Sequence, residues 1–162
     1  MVPYMATIAE LEDAGLLLPY DPDVEDGEFP SRYIHLAPDF KPWFEIHLPT
    51  ESSPEELHLT PYEQAEQKLY DYCMGRPLAY DRDRKILHPQ GLHIWSLKAP
   101  EVRVFGWMPK RRHFIAVCGE LKCRLQSSLD YAPFIERVRA FREALPLDGP
   151  KFLTGVRPND IC

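Results

Sequence analysis

The sequence has no long apolar run. The longest candidates, residues 16–18 and 114–118, fall far short of the ~20 residues that a membrane-spanning helix needs. The first residues, 1–4, do not begin a basic stretch followed by an apolar one, as a secretory leader would. We therefore expect a cytoplasmic protein that makes no contact with a membrane.

The cysteine spacing of zinc sites is also missing. No two of the four cysteines are separated by two residues, and His88 and His93 flank a turn with no further His or Cys close by in the sequence. Because no secretory leader is visible, the cysteines are expected to be reduced thiols. We predict neither a metal site nor a cofactor.

Length and composition indicate one folded domain with an uneven charge distribution. The 162 residues are 44% hydrophobic and 27% charged, within the ordinary globular range, and contain no internal repeat. Residues 1–81 carry 4 Lys and Arg against 17 Asp and Glu, whereas residues 82–162 carry 15 against 8. Either the two halves pair with each other, or the second half carries a surface that binds a polyanion.

The first 41 residues differ from the rest of the chain in composition. Eight prolines fall within the first 54 residues, and five acidic residues lie within residues 21–28, so long regular elements are not expected there. One short helix is predicted over residues 6–14, ending at Gly15. We expect residues 1–41 to form an acidic, proline-rich extension and residues 42–162 to form an α+β domain.

Hydrophobic periodicity predicts the elements of that domain. Ser53 and Thr60 each precede a proline and a glutamate at the spacing of a capping box, so each is expected to begin a helix. The second of these helices ends at Gly75, and a last helix covers residues 131–145. Strands are predicted over residues 43–48, 92–97, 101–108 and 113–118. This order of one strand, two helices, a three-stranded meander and a C-terminal helix predicts an α+β fold with a single antiparallel sheet.

Two neighbouring segments resemble a known family. Residues 91–97, GLHIWSL, followed by residues 102–107, VRVFGW, resemble the RelE/ParE superfamily pattern of glycine, an apolar residue, Trp, Leu and then Arg-x-Phe/Tyr, and in particular its phage-related HigB-like branch. The following hairpin, the turn at residues 119–122 and the final helix continue the similarity, which covers roughly residues 42–146. The resemblance implies a RelE-like fold.

The resemblance also implies a function. Members of the family are toxins of type II toxin–antitoxin systems, and most are metal-independent endoribonucleases that cut mRNA at the ribosome. The expected partners are therefore an antitoxin protein and the mRNA on the ribosome. The alternative is a non-catalytic binding module of the same fold, such as a ParE-like gyrase binder or a prophage-derived interaction protein. The oligomeric state is left open.

Three residues are candidates for catalysis. Arg103 matches the family arginine, which implies that it stabilises the phosphate in the transition state; alternatively it pairs with an acid from the N-terminal half. His113 would act as a general acid or base near neutral pH, or it is a surface residue at a strand start. Lys122 stands where HigB-like proteins have a lysine pair. Some relatives use a C-terminal tyrosine that this tail lacks, and Tyr131 is the nearest replacement.

A further set of cations is expected to bind nucleic acid. Lys110, Arg111 and Arg112 fall in the loop between two predicted strands, where three adjacent cations favour phosphate contacts. Arg124, after the second of those strands, is assigned to the same role. The alternative for the loop is a solvated turn. Tryptophans at strand positions are expected to fill the core rather than to stack on bases.

Overall fold

Six strands form one mixed sheet in the computed structural model, which describes residues 5–155. Their order across the sheet is β1-β2-β6-β5-β4-β3, and every neighbouring pair is antiparallel except β2 and β6, which are parallel. The α+β class is confirmed, and the purely antiparallel sheet is wrong at that one pairing. The strands are β1 Leu18–Pro19, β2 Tyr33–Leu36, β3 Arg84–Ile86, β4 Trp95–Lys98, β5 Val102–Trp107 and β6 His113–Leu121.

Four helices pack around this sheet. In the described part of the chain none of them is long and apolar enough to cross a membrane. The capping box predicted at Thr60 is present, since the Thr60 hydroxyl accepts a hydrogen bond from the Glu63 backbone N–H and the Glu63 carboxylate accepts one from the Thr60 N–H. The helices are α1 Ile8–Asp13, α2 Phe40–Pro42, α3 Pro61–Cys73 and α4 Ser128–Ala144.

The meander β4–β5–β6 lies between α3 and α4. Phe114 of β6 packs on Tyr72 of α3, whereas Phe105 of β5 packs on Phe134 of α4. Both strands are almost completely buried. Gly106 stands at a bulge in β5 where a Cβ would lie 1.8 Å from the Ile115 carbonyl oxygen, so this position accepts only glycine.

The described part of residues 1–41 belongs to the same core. Strand β2 pairs with β6 through Tyr33 and His113 at one end and Leu36 and Ala116 at the other. Leu11 and Leu17 are fully buried. The backbone of Ala6 is hydrogen-bonded to Pro146 and Asp148 near the end of the chain. The acidic segment is thus joined to the sheet by strand pairing and apolar burial.

The strand predicted over residues 43–48 is wrong, because these residues are helical. α2 runs on into a π-helical turn, Trp43–His47, and a 3₁₀ turn, Leu48–Thr50. Phe40, Phe44 and Leu48 recur at helical spacing and are buried, whereas Ile46 is 64% exposed. The spacing of the buried apolar residues, one every four positions, therefore determines the structure here. The β-strand propensity of the aromatic and β-branched residues does not.

The helix predicted to begin at Ser53 does not form. The Ser53 hydroxyl donates to one oxygen of the Glu101 carboxylate, and the Glu55 backbone N–H donates to the other. Glu101 is itself buried and also accepts a hydrogen bond from the Gln64 side chain. The Ser53 oxygen accepts from the Leu57 backbone N–H, so it does not make the bond to Glu56 that a capping box requires.

The strand predicted over residues 92–97 begins later, at Trp95. Residues Gln90–Leu92 form a 3₁₀ turn, and His93 has a left-handed φ of 51°, which interrupts the extended chain. The other predicted elements, the strands near residues 101–108 and 113–118 and the helices near residues 6–14 and 131–145, are confirmed. Trp95 and Trp107 are fully buried, as expected for core residues.

Because β2 is paired within the sheet, its buried side chains should contribute measurably to the free energy of unfolding. Ile34 is 2% exposed in the middle of β2, so Ile34→Ala removes buried methyl groups and leaves a cavity. We expect it to lower the free energy of unfolding by about 2–4 kcal/mol in urea titrations. Tyr33→Ala, on the same strand but 46% exposed, is the matched control and should cost less than about 1 kcal/mol. Equal effects would contradict the burial of this strand.

Candidate active site

One face of the sheet carries cations from three neighbouring strands. Lys85 of β3 pairs with Ser96 of β4, and Lys98 of β4 pairs with Arg103 of β5. Because side chains on alternate residues share a face and cross-strand partners stand side by side, these four residues lie on the same face. Phe105 continues that face and touches Tyr131 of α4. The cations therefore lie on the side of the sheet that α4 covers.

A cavity of about 360 Å³ opens between this face and the first turns of α4. Its lining contains the cations Lys85, Lys98 and Arg103 and no carboxylate. Leu125 and Ile135 supply an apolar wall, and hydroxyl groups come from both the sheet and the helix. A partly apolar hollow of this size with a few converging polar groups is typical of a ligand site, and the charge of the lining favours an anion.

Arg103 lies at the floor of the cavity and is 7% exposed. Its Nη1 donates to the carbonyl oxygens of Ala99, at 2.6 Å, and Val102, at 3.1 Å. Tyr131 lines the same cavity. Burial lowers the pKa of Arg103, while Tyr131 and the charge of Asp81 oppose that shift. The two backbone carbonyls thus hold the guanidinium in one orientation.

The two lysines of the face are held at the rim by one carboxylate. Asp81 Oδ1 lies 3.3 Å from Lys85 Nζ and 3.4 Å from Lys98 Nζ. Hydrogen bonding to Lys85, followed by the charge of Lys98, lowers the pKa of Asp81. Asp81 is the last residue of the acidic half and Lys85 stands only four residues after it, so their contact is local in the chain. Arg103 itself is held by backbone carbonyls.

Ser96 supplies an unpaired polar group at the cavity. It is 1% exposed, and its hydroxyl has no hydrogen-bond partner among the described residues. An unsatisfied buried hydroxyl is costly, so such groups are usually completed by water or by a ligand. Ser127 and Ser128, at the N-terminus of α4, face the same cavity. The positive end of that 17-residue helix adds to the attraction for an anion.

Arg103 and His113 lie at opposite ends of the same strand pair. Arg103 is paired with Glu120, seven residues from His113 along β6. At about 3.3 Å per residue the two side chains are separated by roughly 23 Å. The structure therefore does not bring these two candidates to one phosphate. The loop beside His113 carries the exposed cations Lys110, Arg111 and Arg112. Like His113, they lie far from the cavity.

Lys122 and Arg124 also lie outside the cavity. Lys122 is exposed beside a second hollow that includes Glu101 and Cys123. Arg124 is paired with Glu51 at 3.0 Å and Glu120 at 3.2 Å, so its charge is locally neutralised. On α4, Arg139 bridges Glu136 and Glu143, as the helical spacing indicates. Of the cations named from the sequence, Arg103 alone lines the cavity.

Sequence reasoning missed Lys85, His88, Ser96 and Lys98. Strand β3 has only three residues, and its alternation of buried Arg84, exposed Lys85 and buried Ile86 is too short to predict a strand with certainty. The pattern becomes informative only with β4, in which Ser96 and Lys98 are spaced by two. His88 follows β3 and lies exposed in the cavity lining.

The described residues contain no grouping of three or more His, Cys, Asp or Glu that is arranged to hold a metal ion. Cys73, Cys118 and Cys123 are free thiols, and Cys162 lies outside the described residues. The polar groups at the cavity belong to lysine, arginine, serine, tyrosine, glutamine and histidine. This donor-rich set suits an oxyanion.

His113 takes part in a hydrogen-bonded chain of side chains. His35 Nδ1 lies 2.7 Å from Glu12 Oε1, and His35 Nε2 lies 2.8 Å from His113 Nδ1. Burial, together with the charge of Lys110, lowers the pKa of both histidines to about 4. The two rings are therefore neutral at pH 7. This chain ties α1, β2 and β6 together.

Comparison of the chain with protein-family models, with curated proteins and with solved structures finds no match. The family resemblance of residues 91–107 consequently stays a hypothesis. Evidence for function comes from the geometry of the cavity and from the surroundings of His113.

The buried histidines predict that the protein loses stability in mild acid. Unfolding releases His35 to its ordinary pKa of ~6.5, so protons are taken up on unfolding between pH 6.5 and 4. The free energy of unfolding should thus fall by about 2 kcal/mol for this histidine between pH 7 and 5. The pKa of Glu12 is raised by burial and by Asp13, so its contribution has the opposite sign: it stabilises the fold below pH ~4.5 and is lost as the pH rises through the raised pKa.

Urea unfolding at pH 7 and 5 measures this dependence. His35→Gln should flatten it, while the same change at the exposed His58 should leave it as in the wild type. Identical pH dependence in wild type and His35→Gln would contradict a neutral, buried His35.

Proposed function

We propose that this chain is a RelE/HigB-like toxin of a type II toxin–antitoxin system that cleaves mRNA, with the Arg103 cavity as its active site. The observation that carries the proposal is the immobilised guanidinium of Arg103 beside Lys85 and Lys98, in a cavity where three cations face one carboxylate, Asp81 at the rim. Fixed cations that meet a phosphate before the reaction cost no reorganisation when charge develops.

The chemistry that these groups support is attack of a ribose 2′-hydroxyl on the adjacent phosphate. A base removes the 2′-hydroxyl proton, the 2′-oxygen forms a bond to phosphorus, and the bond from phosphorus to the 5′-oxygen breaks. The leaving 5′-oxygen takes a proton from an acid. The products are a 2′,3′-cyclic phosphate and a 5′-hydroxyl, and the negative charge on the pentacoordinate intermediate is met by the three cations.

His88 and Tyr131 are the proposed base and acid. His88 lies exposed in the cavity lining, where its imidazole accepts the 2′-hydroxyl proton. Tyr131 lines the same cavity as Arg103, and its phenol O–H is a hydrogen-bond donor that can protonate the leaving oxygen. Arg103 and Tyr131 were named from the sequence, while His88 replaces the more distant His113 as the proton acceptor.

The order of the elements supports the family assignment in part. A strand, two helical segments, the meander β4–β5–β6 and α4 follow one another as the resemblance implies, with β2 in the place of the strand expected over residues 43–48. The antitoxin and the ribosome are proposed partners on the same ground. The exposed cations of the basic half suit a ribosomal RNA surface.

Because Arg103 is buried and already bonded to backbone carbonyls, a second function is also a candidate, that of a non-catalytic binding module. Two of the donors of Arg103 are engaged by carbonyls. A cation held in this way can fix a phosphate or a carboxylate of a partner without reacting. Binding of RNA or of a protein without any cleavage would distinguish this function from the ribonuclease.

Cleavage of a translated reporter message tests the ribonuclease proposal. Purified protein is added to a translation extract, and primer extension maps new 5′ ends. Arg103→Lys keeps the positive charge but loses the planar array of guanidinium N–H donors. We expect it to lower the cleavage rate ~100-fold or more. Tyr131→Phe, which removes only the hydroxyl, should lower it roughly 100-fold.

Arg139→Ala is the matched control, because Arg139 lies on the outer side of α4 and is paired with two glutamates. Its cleavage rate should equal that of the wild type. Thermal unfolding of each variant shows that the fold is retained. Wild-type protein that is folded, free of antitoxin and unable to cut the message would refute the ribonuclease and leave the binding module.

A further inference from the structure

A second charged surface lies at the end of β5 and β6 that is remote from the cavity. Lys110, Arg111 and Arg112, here called the basic tip, are exposed and make no ion pair with any described residue. The acidic half of the chain therefore does not neutralise them, although it supplies the neighbouring strand β2. Three adjacent unpaired cations are an electrostatic footprint for a polyanion.

An aromatic ring lies directly beside the basic tip. The Tyr33 backbone N–H donates to the Arg112 carbonyl at 2.7 Å, which fixes the start of β2 against the tip. The Tyr33 ring is stacked on His113, with 5.2 Å between ring centroids and 27° between planes, and remains 46% exposed. An exposed flat ring next to three cations can stack on a base while the cations contact the neighbouring phosphates.

Two further rings and a carboxylate hold Tyr33 from behind. The His113 and His35 rings lie edge to edge in nearly the same plane, with 5.1 Å between centroids and 6° between planes. His35 is in turn bonded to Glu12, as described above. Since neutral His35 has one N–H, which it donates to Glu12, its Nε2 accepts the hydrogen of His113 Nδ1. Tyr33 is thus stacked on a ring, His113, whose orientation is fixed by hydrogen bonds.

We propose that Tyr33 and the basic tip form a second binding site, for single-stranded RNA, in which one base stacks on Tyr33 and the neighbouring phosphates contact the three cations. Single-stranded nucleic acid is bound in this way elsewhere, by aromatic platforms beside a basic track. An acidic protein segment would use the cations but has no need of a pre-stacked exposed ring. The choice of RNA over DNA rests on the proposed ribonuclease function.

The site lies roughly 23 Å from Arg103 along β6. It therefore contacts nucleotides that are not those at the cut. Its role is to hold the message at a distance from the cavity, so that binding and cleavage can be separated by substitution.

Fluorescence anisotropy with a labelled single-stranded RNA of about 12 nucleotides tests this site. The 2′-hydroxyls of the RNA are methylated, which removes the attacking group, so binding is measured without cleavage. Tyr33→Ala should weaken binding about 10-fold, and Tyr33→Phe, which keeps the ring, should bind as the wild type does. Tyr80→Ala is the matched control, because Tyr80 is 47% exposed but far from the tip in the sheet order.

The basic tip is tested by the salt dependence of the same binding. Changing Lys110, Arg111 and Arg112 together to Ala should reduce the slope of log K against log salt by up to about 2, the value for three phosphate contacts on a single strand. A duplex of the same sequence, whose bases are not free to stack on Tyr33, should bind more weakly and should be insensitive to Tyr33→Ala.

Two results would overturn the proposal. Binding that is unchanged in Tyr33→Ala excludes the base stack, and an unchanged salt slope in the triple variant excludes the phosphate contacts, as expected if the tip serves an acidic protein. Failure of the proposed ribonuclease function would be seen in the cleavage assay and not in the binding assay. Arg103→Lys and Tyr131→Phe alter cleavage of unmodified RNA, and the binding of methylated RNA at the tip does not depend on them.

Discussion

The pairing of β6 with strands on both of its sides is the constraint on which the rest of the structure depends. β6 is nine residues long and almost entirely buried, with β5 antiparallel on one side and β2 parallel on the other. A parallel pair requires a long crossover, and here residues 37–112 supply it. The N-terminal strand β2 therefore lies inside the sheet, between β1 and β6.

The central position of β6 also separates two chemically different ends. At one end Arg103, Lys85 and Lys98 lie under α4, where burial and fixed hydrogen bonds orient a cation toward a hollow. At the other end the cations of the basic tip are exposed, and the oriented element is an aromatic ring. The first arrangement suits stabilisation of charge in a reaction, and the second suits binding.

Buried carboxylates and carbonyls do much of the positioning. The Glu101 carboxylate accepts hydrogen bonds from the Ser53 hydroxyl and the Glu55 backbone N–H. The carbonyls of Ala99 and Val102 orient Arg103. Glu12 fixes His35 and, through it, the ring stack. Glu101 and Arg103 are each kept away from water only because several partners satisfy them, since an unpaired buried charge would be very costly.

The sequence alone determined those elements whose hydrogen bonds join residues close in the chain. The capping box of Thr60 and Glu63 lies within four residues, the β5–β6 hairpin is closed by a short loop, and α4 carries its own helical period. Arg103 was a candidate from the sequence because one segment resembles a known pattern.

Tertiary structure alone decided the contacts between residues far apart in the chain. Tyr33 pairs with His113 eighty residues later, residues 40–47 become helical because Phe40 and Phe44 are buried together, and Lys85, Lys98 and Arg103 meet only once three strands align. Local propensity differs by about 1 kcal/mol or less between helix and strand at such positions, so packing across the sheet overrides it.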